Sequence, residues 1–194
     1  MDDHFLAALE DQILSVWPQE RLIVPDQIQG AAADLRQGVA ATGWPPLDDL
    51  RGRLLLVLHD EGAWRDAYTA GGTTTAGRLL FPDAFGDLDV PFAAVHSIND
   101  PLGDLAAIEA AVDAGHLVRT RADADNVEPS AGDDARQVAA LASGAHFIST
   151  DYPPPKGDKY DYVCEIPDGA PSRCNPRSAP PGCTSEAIED PGAL

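Results

Sequence analysis

Two arginines two residues apart, Arg119 and Arg121, follow the short apolar run Leu117-Val118. On a strand, residues i and i+2 leave on the same face, so both guanidinium groups would project together, and planar forks of this kind grip phosphate oxygens bidentately. A structural ion-pair network with Asp123, Asp125 or the acids of a nearby helix is the competing reading. Asp123, Asp125 and Glu128 crowd the segment that follows. Carboxylate oxygens at alternate positions suit Ca²⁺ or Mg²⁺, although the glycine and distal glutamate of an EF-hand are missing and an arginine-paired acidic loop is the preferred reading. Asp151 and Tyr152 come directly after Ile148-Ser-Thr150. There a carboxylate can accept from ligand hydroxyls and a phenol can stack on or hydrogen-bond a sugar-like ring. Alternatively, an Asp-Tyr-Pro turn closes the chain with Asp151 capping local amides.

Two histidines end apolar runs. His59, next to Asp60 and Glu61, follows Leu54 to Leu58, and His96, near Asn99-Asp-Pro101, follows Phe92 to Val95. An imidazole beside carboxylates at a strand terminus can serve as a general base or a metal ligand; an exposed loop histidine is the alternative. The sequence contains no Gly-x-Ser-x-Gly, no phosphate-binding glycine-rich loop and no Gly-x-Gly-x-x-Gly, so serine hydrolase, nucleotide and Rossmann readings have no support.

The elements that must position these residues alternate. Phe5, Leu6, Leu9, Ile13 and Leu14 recur at helical spacing before Pro18, which predicts an amphipathic opening helix. Leu22-Ile-Val24 predicts a short strand, and Pro25-Asp26 opens the next helical stretch as proline in a first turn does. Residues 31–42 predict a helix that stops before Gly43. The continuous apolar run Leu54 to Leu58 reads as a strand buried on both faces of a parallel sheet. Further strands are predicted near residues 80, 94, 118 and 148, separated by helices near 102–114 and 133–143. Sites in such folds sit at the carboxyl ends of parallel strands. From Asp151 onward the composition turns to Pro, Gly, Asp and Ser, with Tyr160 to Cys164 as a candidate short strand.

The fold class is therefore α/β: a partial or compact TIM-barrel-like parallel βα repeat over residues 1–153, with an irregular Pro/Gly-rich C-terminal tail over 154–194. Six strand candidates fall short of the eight of a full barrel, and 194 residues fall short of the roughly 250 typical of one. With 32 acidic against 13 basic residues and a net charge of −19, the composition argues against nucleic acid and against electrostatic attraction to anionic lipid, unless local basic residues override the global field. No run approaches the roughly 18 apolar residues of a transmembrane helix. The start, Met1-Asp-Asp-His-Phe, has no basic or apolar leader region. Of three cysteines, Cys174 and Cys183 bracket a short Pro-rich loop and would pin the tail as a disulfide in an exported protein, or stay free thiols otherwise. Cys164 is left over, and no zinc spacing occurs.

Val118-Arg-Thr-Arg-Ala-Asp-Ala-Asp125, Ala142-Ser-Gly-Ala145, Ile148-Ser-Thr-Asp-Tyr-Pro153 and Arg173-Cys-Asn-Pro176 together resemble the bacterial calcium-dependent phosphoinositide-specific phospholipase C family. Arg21-Leu-Ile-Val-Pro-Asp26, Gly43-Trp-Pro45 and Leu50-Arg-Gly-Arg-Leu54 fit the same pattern. The resemblance is to the C-terminal portion of that family, since a His-Asn-Ser/Thr-Tyr segment carried near the family's start does not occur here. It implies a TIM-barrel-like phosphodiesterase acting on a phosphodiester or inositol phospholipid with two histidines and Ca²⁺, in which Arg119, Arg121, Asp151 and Tyr152 would hold the substrate. If the chain is self-sufficient in acid/base catalysis, His59 and His96 replace the missing pair. A glycerophosphodiester phosphodiesterase is the enzymatic alternative, and a partial barrel that binds a phosphorylated ligand or a partner chain without turnover is the other. Uncovered sheet edges predict self-association. The family is typically secreted, so the expected location is cytoplasmic as the sequence stands, or extracellular if the N-terminus is truncated.

Overall fold

In a computed structural model, residues 3–155, 160–167 and 171–189 are described. The chain forms two compact units, Met1–His96 and Ser97–Gly192. The described strands are short and fall into sheets of two, two and three strands, without a closed barrel. Among the described residues no helix is long and apolar enough to cross a membrane.

The first unit opens with α1, Asp3–Val16. It buries Leu6 and packs Ile13 against the core while leaving Phe5 and Leu14 exposed. Strand β1, Leu22–Ile23, leads into α2, Pro25–Gln29, which has proline in its first turn as the sequence predicts. Helix α3, Leu35–Thr42, starts later than predicted because the Asp34 side chain accepts the Gln37 N–H at 2.7 Å and caps it there. Gly38 lets α3 close on α2: a Cβ at that position would stand 2.5 Å from the Gln29 Cα. A single turn of helix, α4, covers Leu47–Leu50.

The run Leu54 to Leu58 divides. Its first half, β2 (Leu54–Leu55), pairs in parallel with β1, and its second half, β3 (Val57–Leu58), pairs in parallel with β4 (Phe81–Pro82). Helix α5, Ala63–Tyr68, makes the crossover between β3 and β4. Leu54, Leu56 and Leu58 pack on a cluster of Leu6, Leu22, Tyr68, Leu79 and Leu80. Alternate residues face away from it, so the run is half-buried rather than buried on both faces. A polar tie crosses the same cluster. The Tyr68 hydroxyl donates to Glu10 Oε1 at 2.5 Å and accepts the Leu79 and Leu80 N–H groups at 3.1 and 2.9 Å. Arg78 lies 4.6 Å over the Tyr68 ring and 3.3 Å from Glu10. Burial, together with the Glu10 hydrogen bond, pushes the phenol well above its ordinary range.

The boundary between the units falls within β5, Val95–Ser97. In the second unit, α6 (Leu105–Asp113), β6 (Leu117–Arg121), α8 (Ala135–Ala142) and β7 (Phe147–Ser149) follow the predicted βα rhythm, and a short α7 (Val127–Ala131) forms where the sequence reads as loop. Strands β6 and β7 pair in parallel with Arg119 opposite Phe147 and Arg121 opposite Ser149. Val118 and Thr120 turn inward, completely buried, while Leu117, Arg119 and Arg121 alternate outward. Tyr160 to Cys164 forms no strand. Instead Tyr162 and Cys164 sink into a cluster with Ala122 and Ala140, the Cys164 N–H donating to the Tyr152 carbonyl at 2.8 Å. A short α9, Ser185–Ile188, is capped by Thr184.

Candidate functional site

Each unit presents polar groups where parallel strands end. In the first unit, β3 ends at Leu58 and delivers His59; β4 ends at Pro82 and delivers Asp83. Pairing of Val57 with Phe81 and Leu58 with Pro82 carries the next residues into register. His59 Nδ1 meets Asp83 Oδ2 at 2.8 Å, with the imidazole about half exposed and the carboxylate fully buried. The other oxygen, Oδ1, accepts the Phe85 N–H at 2.9 Å. Phe85 lays its ring 4.9 Å from the His59 ring. Arg65, on α5, donates through Nη1 to the Asp83 carbonyl at 3.3 Å. Asp60 is used locally, taking the Gly62 and Arg65 N–H groups at 3.0 Å each. A half-exposed histidine set against a buried acid is an arrangement that can transfer protons.

His96 does not end a strand as the sequence suggests but is the middle residue of β5. It is fully buried, and its Nδ1 accepts the Gly86 N–H at 3.1 Å, so it supports the turn that follows Asp83. Asp83 itself is absent from the candidates read from sequence. The available signal was the acid that follows Leu79-Leu-Phe-Pro82, one strand beyond the one that His59 follows.

In the second unit Arg119 and Arg121 share the half-exposed face of β6. Arg119 Nη1 donates to Asn99 Oδ1 at 2.6 Å, and Arg121 stands 3.9 Å from the Asp151 carboxylate. Tyr152 donates its hydroxyl to Asn126 Oδ1 and meets Tyr162 edge-on at 5.5 Å. The β6–β7 register thus brings Arg121, Asp151 and Tyr152 to one strand-end rim.

The acidic residues beside that rim are spent on structure. Asp123, 1 % exposed, takes the Thr150 hydroxyl at 2.5 Å on one oxygen and the Asp151 N–H at 3.1 Å on the other, tying the ends of β6 and β7 together. Asp125 is exposed in a left-handed turn with Asn126. Glu128 accepts the Ala124 N–H at 2.8 Å and Arg136 Nε at 2.6 Å, while Arg136 reaches on to the Asn99 carbonyl and Asp100. Burial pushes the Glu128 carboxyl up, but the backbone N–H groups and Arg136 outweigh it and hold the group below its ordinary range. Calcium takes roughly six to eight oxygen ligands. Among the described residues no three His, Cys, Asp or Glu side chains gather for a metal ion, and both oxygens of Asp123 and of Glu128 are already engaged. The described residues do not fit a calcium cage.

The Arg173-Cys-Asn-Pro176 motif belongs to the tail's attachment. Arg173 donates to the Leu141 carbonyl, and Asn175 donates to the Gly144 carbonyl at 2.7 Å. Arg177 forks onto Asp113 with two contacts of 2.6 Å, a pairing that draws the Asp113 carboxyl down. The Arg177 Cβ would leave only 3.0 Å to a side chain at position 144, where Gly144 holds φ +83°. Cys174 and Cys183 are joined by a disulfide with Cα atoms 6.0 Å apart. Cys164 is a buried free thiol, pushed up by burial and by the Asp123 carboxylate, which makes it a poor nucleophile.

The family model described as phosphoinositide phospholipase C, Ca²⁺-dependent, matches residues 1–176. No curated protein and no solved structure matches the chain.

Proposed function

Because the chain belongs to the Ca²⁺-dependent phosphoinositide phospholipase C family, we propose that it is a phosphoric diester hydrolase in which His59 and Asp83 carry the proton transfer. The observation behind this reading is the 2.8 Å contact between a half-exposed imidazole and a fully buried carboxylate at the ends of neighbouring parallel strands. The imidazole takes a proton from the attacking oxygen, the buried Asp83 carboxylate stabilises the imidazolium so formed, and the proton returns to the leaving oxygen. The family description names calcium, but the described residues do not form its cage.

The test uses the purified chain on phosphatidylinositol and on a simple glycerophosphodiester, with EDTA and added Ca²⁺ as separate arms. Turnover should fall about 10²- to 10⁴-fold in His59→Gln and in Asp83→Asn. Unchanged turnover in His59→Gln, or none in a folded wild-type sample, refutes the reading. Preference for the glycerophosphodiester would place the chain with glycerophosphodiester phosphodiesterases in substrate choice.

A binding role without turnover is favoured by a separate observation, the shared outward face of Arg119 and Arg121 with Asp151 and Tyr152 at the same strand ends. Under this reading the two guanidinium groups take the phosphate, and Asp151 and Tyr152 take hydroxyls of a polyol such as inositol. Calorimetric titration with inositol phosphate should show binding that weakens about tenfold or more in Arg121→Ala. Equal affinity for both proteins removes this rim from the account.

A further inference from the structure

The rim of the first unit holds one residue whose backbone is out of the ordinary. Phe85 has φ +47° and Gly86 φ +90°. A left-handed conformation is natural for glycine, but a bulky aromatic seldom adopts it, and such outliers persist where surrounding structure over-determines them. Here the turn reverses the chain directly after Asp83, with two results. The Phe85 N–H reaches back to Asp83 Oδ1 at 2.9 Å. Its ring meets the His59 ring at 4.9 Å, the planes inclined by 37°.

We infer that Phe85 is a positioning residue that fixes His59 as the tautomer with hydrogen on Nδ1, leaving Nε2 as its basic nitrogen. The proposal rests on the reading of His59 as the proton carrier and says which nitrogen does the work. An ionised carboxylate offers only acceptors. Asp83 gives Oδ1 to the Phe85 N–H, which turns Oδ2 onto His59 Nδ1 at 2.8 Å. Between an acceptor oxygen and a ring nitrogen at that distance, Nδ1 must supply the hydrogen. Packing of the Phe85 ring at 4.9 Å then holds the imidazole against Oδ2, and Arg65 donates to the Asp83 carbonyl at 3.3 Å. The bare nitrogen is the one beyond the acid, where an attacking hydroxyl can reach it.

The signature is readable without turnover. Isolated imidazole side chains favour hydrogen on Nε2, so a dominant Nδ1–H form marks an imposed tautomer. Long-range proton–nitrogen correlation spectra of ¹⁵N-histidine protein, recorded as the pH is raised until the neutral form is seen, should show His59 with hydrogen on Nδ1. Phe85→Tyr should keep that pattern. Phe85→Gly, which retains the N–H but removes the ring, should lose it in favour of a mixture, and isosteric Asp83→Asn should move it to Nε2–H. A wild-type His59 carrying hydrogen on Nε2 overturns the inference. So does a Phe85→Gly spectrum identical to wild type, and so does loss of the pattern in Asp83→Asn alone. Should Phe85→Gly fail to fold, as seen in far-UV circular dichroism, Phe85→Leu takes its place: a mixture of tautomers supports the inference and a wild-type spectrum overturns it. If the tautomers behave as described while no phosphodiester is hydrolysed, the positioning stands and the catalytic reading falls.

Discussion

Glu128→Gln keeps the shape of a side chain that serves two donors but turns one of its acceptors into a donor. Glu128 is 8 % exposed, and its oxygens accept the Ala124 N–H at 2.8 Å and Arg136 Nε at 2.6 Å. Whichever way the new amide lies, its NH₂ faces a donor. The charge-assisted bond to Arg136 is then lost, or the Ala124 N–H is left unpaired in a buried place. A bond to a charged group contributes about 1.5–3 kcal/mol and an orphaned buried donor costs about 1–3 kcal/mol. The two overlap, so the expected loss is about 2–4 kcal/mol. With a urea slope of about 2 kcal/mol/M, the unfolding midpoint should drop by about 1–2 M near neutral pH. The pH dependence sharpens this. The folded Glu128 carboxyl sits below its ordinary value of 4.5, so its stabilisation is fully present above that value and is lost as the pH falls through the lower folded one. Glutamine does not titrate. The gap between wild type and variant should therefore be full near neutrality and narrow below about pH 4.5. Urea titrations of both proteins across the acid range measure it. A gap within about 0.5 kcal/mol at neutrality, or one that stays constant into acid, would refute the reasoning.

Cys174→Ser opens a loop of nine-residue separation and should cost about 2–3 kcal/mol. The measurement is thermal unfolding with and without a dithiol reductant, which should lower the wild-type midpoint and leave the variant unmoved. Gly38→Ala places a methyl 2.5 Å from the Gln29 backbone and should destabilise by about 1–3 kcal/mol; an unchanged melting temperature would mean that α2 and α3 pack less closely than described. Phe81→Ala empties a completely buried site on β4 and should cost about 3–5 kcal/mol in denaturant unfolding, whereas a loss below about 1 kcal/mol would show that the site collapses around the gap.

Local spacing determined a good deal. The opening helix, the proline-led α2, the placing of both β6 arginines on one face and the βα order are all set by patterns of two, three or four residues, and these are written along the chain itself. The family likeness rests on short strings that survive as strings. The third dimension decided which side chain answers which. Leu54 to Leu58 is one apolar run in sequence, yet it serves two partners because β1 and β4 claim different halves of it. Asp123 and Glu128, which could equally have faced a cation, were taken by Thr150, Ala124 and Arg136. His59 gained its acid from 24 residues away. A parallel pairing is joined by a crossover of many residues, and its register depends on packing of the intervening helix and on buried area. No spacing rule within the strand carries that register, so the meeting of His59 and Asp83 exists only in the folded chain.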